Sequence, residues 1–334
     1  MEKEKIGWTN SELHNLYKLT ASRQTLLNAE ASGAIPTATR IPRGSSSIRV
    51  WGLADLPQIG AKYGFLDKNK KKIILSVYTA KGGVLKTTLS YNLARIIALH
   101  GMRVLVVGLD SQGSITDLAL RPLSQLETLD ELDSYPGLYN YFQDGVKLNE
   151  IIAKTSLPTL DIIPETPSLV LLDRKIKDMR HREAVLKDQV IDEIISDYDV
   201  VIFDNGPSWN MLIENSLYAS NSVISPLGCD LGSYQAVQVN LDNTFLFRDE
   251  MKLNWDHFLM VPTLLENNKI SKQIYGAYLQ SYAEMILNSS IRRTAKGQET
   301  LTYGQSILET EPKSVLADDY RKVVSEIWSY LAKA

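Results

Sequence analysis

The chain has 334 residues, enough for roughly two domains, and its 44% apolar and 22% charged content is that of a soluble globular protein. A single cysteine, Cys229, excludes an internal disulfide and points to a reducing compartment. The opening residues MEKEKIGWTN lack the apolar core of a signal peptide, and no apolar run reaches the about 20 residues of a membrane helix, so a cytoplasmic protein without membrane contact is expected.

Net charge is −3 but unevenly spread, with +4 over residues 1–70 and −7 over the rest, which suggests an anionic partner for the N-terminal part. Residues 1–66 read as a small module. A helix is expected at about 10–17, and Thr20 or Ser22 is placed to cap a second one that stops near Gly33. Two extended pieces over 37–51 follow, joined by a GSSS turn, and then a short helix from Leu53 or Asp55. This layout resembles the MerR-type winged helix-turn-helix, with Arg49-Val50-Trp51 where that family has R-x-Y. The resemblance implies operator DNA as a partner. Arg23 and Gln24 would lie on the recognition helix, and Arg40, Arg43 and Arg49 on or near the wing, contacting phosphates. A small helical dimerisation domain with solvated arginines is the competing reading.

Residues 67–72, DKNKKK, are expected as a linker. From 73 to 334 apolar runs alternate with helical patterns. The predicted strands are 73–78, 103–109, 159–163, 199–203, 221–225 and 258–262, and helices are predicted at 86–100 and 231–250 among others. Nearly continuous β-branched runs between helices predict an α/β, doubly wound, mostly parallel sheet. Ligands in such sheets bind beyond the carboxyl ends of the strands.

Three such strand ends carry polar chemistry. The first strand runs into TAKGGVLKTTLS, residues 79–90, and then a helix. That is the context of a phosphate-binding loop, which aims backbone N–H groups and a helix N-terminus at phosphate. Gly82 and Gly83 supply backbone freedom, Lys86 would hold the β- and γ-phosphates, and the Thr87 hydroxyl would ligate Mg²⁺. Ala80 and Leu85 stand where the general pattern G-x-x-x-x-G-K-[ST] has its glycines. The second strand ends in GLDSQG with Asp110 and Gln112, and a later one in VVIFDNGPS with Asp204. Carboxylates so placed suit Mg²⁺, often through water.

Taken together, the motifs resemble the ParA/MinD ATPases, whose deviant Walker A core is K-G-G-x-x-K-[ST]. VLVVGLDSQGSITDLAL resembles the ParA stretch V-L-x-V-D-x-D-x-Q-G-x-x-T, and YDVVIFDNGPSWNMLIENSL resembles its Walker B stretch. The tail SILETEPKSVLADDYRKVVSEI resembles the family's C-terminal end, so the resemblance spans roughly 73–334. It implies the P-loop NTPase fold, Mg²⁺-dependent ATP hydrolysis and ATP-dependent homodimerisation. Lys81 matches the signature lysine that reaches the partner's nucleotide. Lys86 and Thr87 match the phosphate and Mg²⁺ residues, Asp110 the carboxylate that orients the attacking water and attends the metal, and Asp204 the Walker B carboxylate. Gly82, Gly83, Val84, Leu85, Lys86, Thr87, Thr88 and Gln112 are the expected nucleotide-contacting residues. Two departures stand out. Gly108 replaces the first aspartate of D-x-D, which removes a polar contact, and Asn205-Gly206 precedes Pro207 in place of the usual residues.

The same resemblance implies a ParB-like centromere-binding partner, nucleoid association, autorepression and nonspecific DNA binding through late basic residues. Arg292, Arg293 and Lys296 are the first candidates for DNA contact, then Lys313, Arg321 and Lys322. The last helix spaces Tyr320, Val323, Val324, Ile327, Trp328 and Leu331 on one face. Its polar face mixes acids with bases, so packing on the core is expected rather than membrane binding. Four histidines and one cysteine form no metal-ligand pattern. The expected function is a DNA partition ATPase. The alternatives are a positioning ATPase for another cargo and a transcription regulator using ATP only as a ligand.

Overall fold

The structure, a computed structural model, describes residues 7–44, 46–69, 71–120, 135–294 and 304–332. The N-terminal elements are α1 (Asn10–Tyr17), α2 (Arg23–Ala31), α3 (Leu56–Tyr63) and the strands β1 (Trp8–Thr9), β2 (Thr39–Arg43) and β3 (Ser46–Trp51). Thr9 starts α1 through a capping box with Glu12. Of the two caps expected for α2, Ser22 is used, accepting from Thr25 N at 3.1 Å. The strands form an antiparallel sheet in the order β1-β3-β2.

The large sheet holds β4 (Ile73–Val77), β5 (Val104–Gly108), β6 (Ala153–Lys154), β7 (Leu160–Ile163), β8 (Val200–Asp204), β9 (Ser222–Gly228) and β10 (His257–Thr263). Its order is β10-β9-β4-β8-β5-β7-β6. All pairings are parallel except that of the edge strand β6, which is antiparallel to β7. The six predicted strands are all present, each within two residues of its expected start. Edge strand β6, only two residues long, gave no readable pattern.

Helices flank both faces: α4 (Lys86–Leu99), α5 (Ser114–Leu120), α6 (Leu138–Asp144), α7 (Leu169–Lys177), α8 (Met211–Ala219), α9 (Leu231–Glu250), α10 (Lys269–Ser281), α11 (Ile307–Thr310) and α12 (Val315–Leu331). One large core holds α4, α12 and the N-terminal helices, and a second packs α6, α7 and α8 on the other face. Twelve of the fourteen residues of α4 are buried, so this helix is covered on every side. Arg95, within it, is fully buried and donates to both oxygens of Glu309, at 2.6 and 3.0 Å. Tyr91 donates to Gly304 O and Asn92 accepts from Ile307 N, so α4 holds residues 304–310 in place.

The N-terminal module shares its core with the large sheet instead of owning a separate one. Tyr17 donates to Leu56 O (2.8 Å) and Leu99 O (3.1 Å), and Arg321 donates to Asn15 O. The expected linker is docked as well. Asp67 O accepts from Trp328 Nε1, Asn69 donates to Leu331 O, and Lys71 pairs with Asp256. The charge of 67–72 suggests solvation, but the last turns of α12 supply partners for this stretch, which no local pattern reveals. Tyr320, Val323, Val324, Ile327, Trp328 and Leu331 are all buried, so the apolar face of α12 is spent on the core. Among the described residues no helix is long and apolar enough to cross a membrane.

Candidate nucleotide site

Strands β4, β5 and β8 are neighbours in the sheet, so their carboxyl ends open on one place. The β4 end continues into the loop that starts α4. Thr79 and Ala80 are fastened to α9, where Ala80 N donates to Asn240 Oδ1 and Asn240 Nδ2 donates to Thr79 Oγ1, at 2.8 and 2.9 Å. Asn240 lies about 160 positions further along and was not found from the sequence. An asparagine in the middle of a long helix gave no signal of this contact.

Beyond that anchor the loop opens. Gly82 and Gly83 have no heavy atom near where a Cβ would stand, and Gly83 adopts φ +74°. Leu85 precedes α4 with φ 67° and ψ 29°, the left-handed region. This is the place where the general pattern has glycine, and glycine reaches that region without strain. Leu85 adopts it while its side chain packs, partly buried, on the main core. Lys86 is buried and its Nζ donates to Lys81 O at 2.8 Å. Burial pushes the Lys86 ammonium pKa down, while Asp204 and Asp110 push it up.

Asp204 ends β8 fully buried. Its Oδ1 accepts from Ser90 Oγ at 2.6 Å, and the Thr87 hydroxyl also bonds to it. Burial raises its pKa against those hydroxyls and the Lys86 charge. Its Oδ2 is buried with no partner. An orphaned carboxylate oxygen beside a threonine hydroxyl fits a Mg²⁺ ion or its bound water. Among the described residues no three His, Cys, Asp or Glu side chains converge to hold a metal alone.

Asp110 follows β5, half-buried, and its Oδ1 accepts from Gln112 N at 3.1 Å. Gly206 packs on this carboxylate, where a Cβ would lie 3.3 Å from Asp110 Cγ. Asn205 beside it is buried and braces β4 through Ser76 Oγ and Val77 O, both at 3.1 Å. The departure Asn205-Gly206 therefore joins β8 to β4 and leaves room for Asp110. The structure thus brings Lys86, Thr87, Asp110 and Asp204 together. Val84 is buried under the loop, Thr88 is half-buried and accepts at its carbonyl from Asn92, and Gln112 is exposed. Lys81 leans away from its own loop, with its Nζ 3.7 Å from the Cβ position of Gly232, near Asp230 at the start of α9.

The chain matches the AAA domain family model over residues 71–257. It belongs to that family. The chain is 28% identical to the cell division protein PomZ of Myxococcus xanthus over 255 residues, covering 76% of this chain and 77% of that protein. It is also 28% identical to the sporulation initiation inhibitor protein Soj of Bacillus subtilis over 257 residues, 76% of this chain and 97% of that protein. Apo McdA of Cyanothece has the same fold, with a TM-score of 0.66 and 17% identity over 78% of this chain and all of that one. The fold of this AAA-domain protein is therefore the P-loop NTPase fold of those relatives, with the polar cluster where that fold binds its ligand.

The residues expected to meet DNA lie elsewhere. Arg23 and Gln24 begin α2 and are exposed, with Gln24 Nε2 donating to Asn28. Arg40 and Arg49 stand directly opposite each other on β2 and β3, and Arg49 is 3.3 Å from Glu30. Arg43 ends β2 opposite Ser46. Arg292 forks onto Asp319, and Arg293 Nε lies 2.9 Å from Glu266. Both are therefore occupied: Arg292 is held two-pronged on a buried carboxylate, whereas the exposed Arg293–Glu266 pair holds only weakly. Arg321 is buried between Asp318, Asn15 O and Pro312 O, a structural role. Lys313 and Lys322 are exposed, and Lys296 lies outside the described residues.

Proposed function

We propose that this protein is a partition-type ATPase, which hydrolyses ATP with Mg²⁺ and cycles between monomer and ATP-bound homodimer. The observation that carries the reading is the convergence of Lys86, Thr87, Asp110 and the orphaned Asp204 oxygen at three adjacent strand ends. Bound Mg²⁺ would neutralise charge developing on the phosphates. Lys86 would neutralise phosphate oxygens, and the open amides of Gly82 and Gly83 would donate to them. Asp110, packed on Gly206, would orient the attacking water. Lys81, whose Nζ lies near Gly232 and Asp230 at the start of α9 and not over its own loop, would serve a second subunit's nucleotide. ATP contacting both subunits would favour the dimer, since a ligand shifts an equilibrium toward the state it binds better.

The cargo reading draws on the relatives, whose names concern division and sporulation control. The dimer would bind DNA nonspecifically, be stimulated by a ParB-like partner and associate with the nucleoid. The exposed Arg23, Gln24 and Arg40, with the half-buried Arg49, would bind operator DNA as parts of a winged helix-turn-helix.

The test measures ATP hydrolysis and DNA binding, each with and without ATP, nonspecific DNA and the product of the adjacent gene. Hydrolysis stimulated by DNA and that product is expected. ATP binding without any hydrolysis would leave only a ligand-regulated DNA binder. For the cross-subunit role, Lys81→Ala should abolish ATP-dependent dimerisation, and wild-type dimerisation and turnover in that variant would refute it.

A further inference from the structure

Gly108 and Glu165 interlock beside the nucleotide site. Glu165 lies two residues beyond the end of β7, and β7 is the sheet neighbour of β5, which ends at Gly108. A Cβ on Gly108 would stand 2.2 Å from Glu165 Cγ and 2.9 Å from its Cδ. The glutamate therefore fills the room that any side chain at 108 would need.

Its carboxylate is buried, and its two oxygens have separate tasks. Oε1 accepts from Asp110 N at 3.1 Å and Oε2 from Ile115 N at 3.0 Å. Those amides are the two ends of the turn carrying Asp110 and Gln112. Glu165 N also donates to Thr116 Oγ1 at 2.7 Å, so the turn and the start of α5 are tied to β7 by three hydrogen bonds. Among the described residues Glu165 forms no ion pair. Burial and the charges of Asp204 and Asp110 raise its pKa, while the two amides lower it. An apolar residue would fill this space without the cost of burying a carboxylate. Only an acceptor with two oxygens can hold both ends of the turn.

We infer that Glu165 is a positioning residue for Asp110. It enters from β7 to brace the turn after β5 where a glycine at 108 cannot. The inference rests on the hydrolysis reading above only for its kinetic consequence. The phosphate loop 82–88 makes no hydrogen bond to Glu165.

The test uses the full chain with Glu165→Ala, Gly108→Asp and the double variant G108D/E165A. In Glu165→Ala, amide exchange of 109–116 should rise at least about tenfold without nucleotide. Its kcat should fall roughly tenfold while KM for ATP stays within about twofold, because misplaced catalytic groups cost rate rather than binding. Gly108→Asp alone should unfold more easily than the wild type. In the double variant the new carboxylate occupies the vacated space, so protection and rate should recover relative to Glu165→Ala. Wild-type exchange in Glu165→Ala, or no recovery in the double variant, would overturn the inference. Should Glu165→Ala fail to fold, Glu165→Gln replaces it, since it keeps the size and one acceptor. It should show raised exchange, and unchanged exchange would overturn the inference. A wild-type protein that hydrolyses no ATP would sink the hydrolysis reading, and the exchange result would still decide the brace.

Discussion

At its N-terminal end α4 follows two open glycines and a leucine in a left-handed conformation, and at its C-terminal end it stops against closely fitted neighbours. A Cβ on Gly60 would stand 2.0 Å from Leu99 O, and one on Gly64 would stand 2.2 Å from His100 Cδ2. Tyr17 caps Leu99 O, and His100 is boxed in edge-on by Tyr17 and Phe65. The first end leaves amides, an ammonium and a carboxylate oxygen available to a ligand. The second leaves nothing available. One helix therefore carries a site at one end and a fixed support at the other, and the support lets the site stay strained and open.

Breaking the support should have the largest effect. Arg95→Ala would strand Glu309 uncompensated in the core, and about 3–5 kcal/mol of stability should be lost. Urea unfolding measures this, and a midpoint close to wild type would show that the pair is not part of the support. At the open end, Lys86→Ala should weaken nucleotide binding roughly hundredfold, as expected when a charged phosphate ligand is removed. The urea midpoint should not fall, because the Lys86 ammonium is already disfavoured by burial. Titration with a fluorescent nucleotide, run beside the unfolding curve, separates the two ends.

Acid should weaken the support. The neutral His100 ring donates from Nδ1 to Ile96 O and accepts at Nε2 from Phe65 N. Burial lowers its pKa from 6.5 to about 4. A base with a depressed folded pKa binds its proton more readily when unfolded. Its contribution is therefore complete above pH about 6.5 and is lost as pH falls toward about 4. At pH 5 the loss should be about 2 kcal/mol. Unfolding curves at pH 7 and 5 should differ by that amount more in the wild type than in His100→Gln, and equal differences would remove His100 from the account.

What was legible in the sequence follows the same division. The open end showed itself because its residues are local: KGGVLKTT is contiguous, and Asp110 and Asp204 each follow a short, valine- and isoleucine-rich apolar run that reads as a buried strand. The supports are contacts between distant positions. Asn240 to Ala80, Glu165 to Asp110, Arg95 to Glu309 and Asp67 to Trp328 each join segments that no local pattern links. Arg321 shows the opposite error. As sequence it is one more base near the C-terminus, and only the fold reveals it as a buried tie to α1. The missing aspartate at 108 could be seen as a loss from the sequence, but its replacement by a glutamate from the next strand could not.

The smallest effect is expected at Leu85, where the strain of the open end can be measured directly. The left-handed backbone costs a non-glycine residue about 1–2 kcal/mol, and the partly buried side chain offsets some of this by packing on the core. Leu85→Ala removes the packing and keeps the strain. Leu85→Gly removes both. If the strain is real, Leu85→Gly should be more stable than Leu85→Ala by about 1 kcal/mol, read from paired urea midpoints. An alanine variant as stable as the glycine one would mean that the loop relaxes out of the left-handed region, and that the support at the far end of α4 does not hold it there.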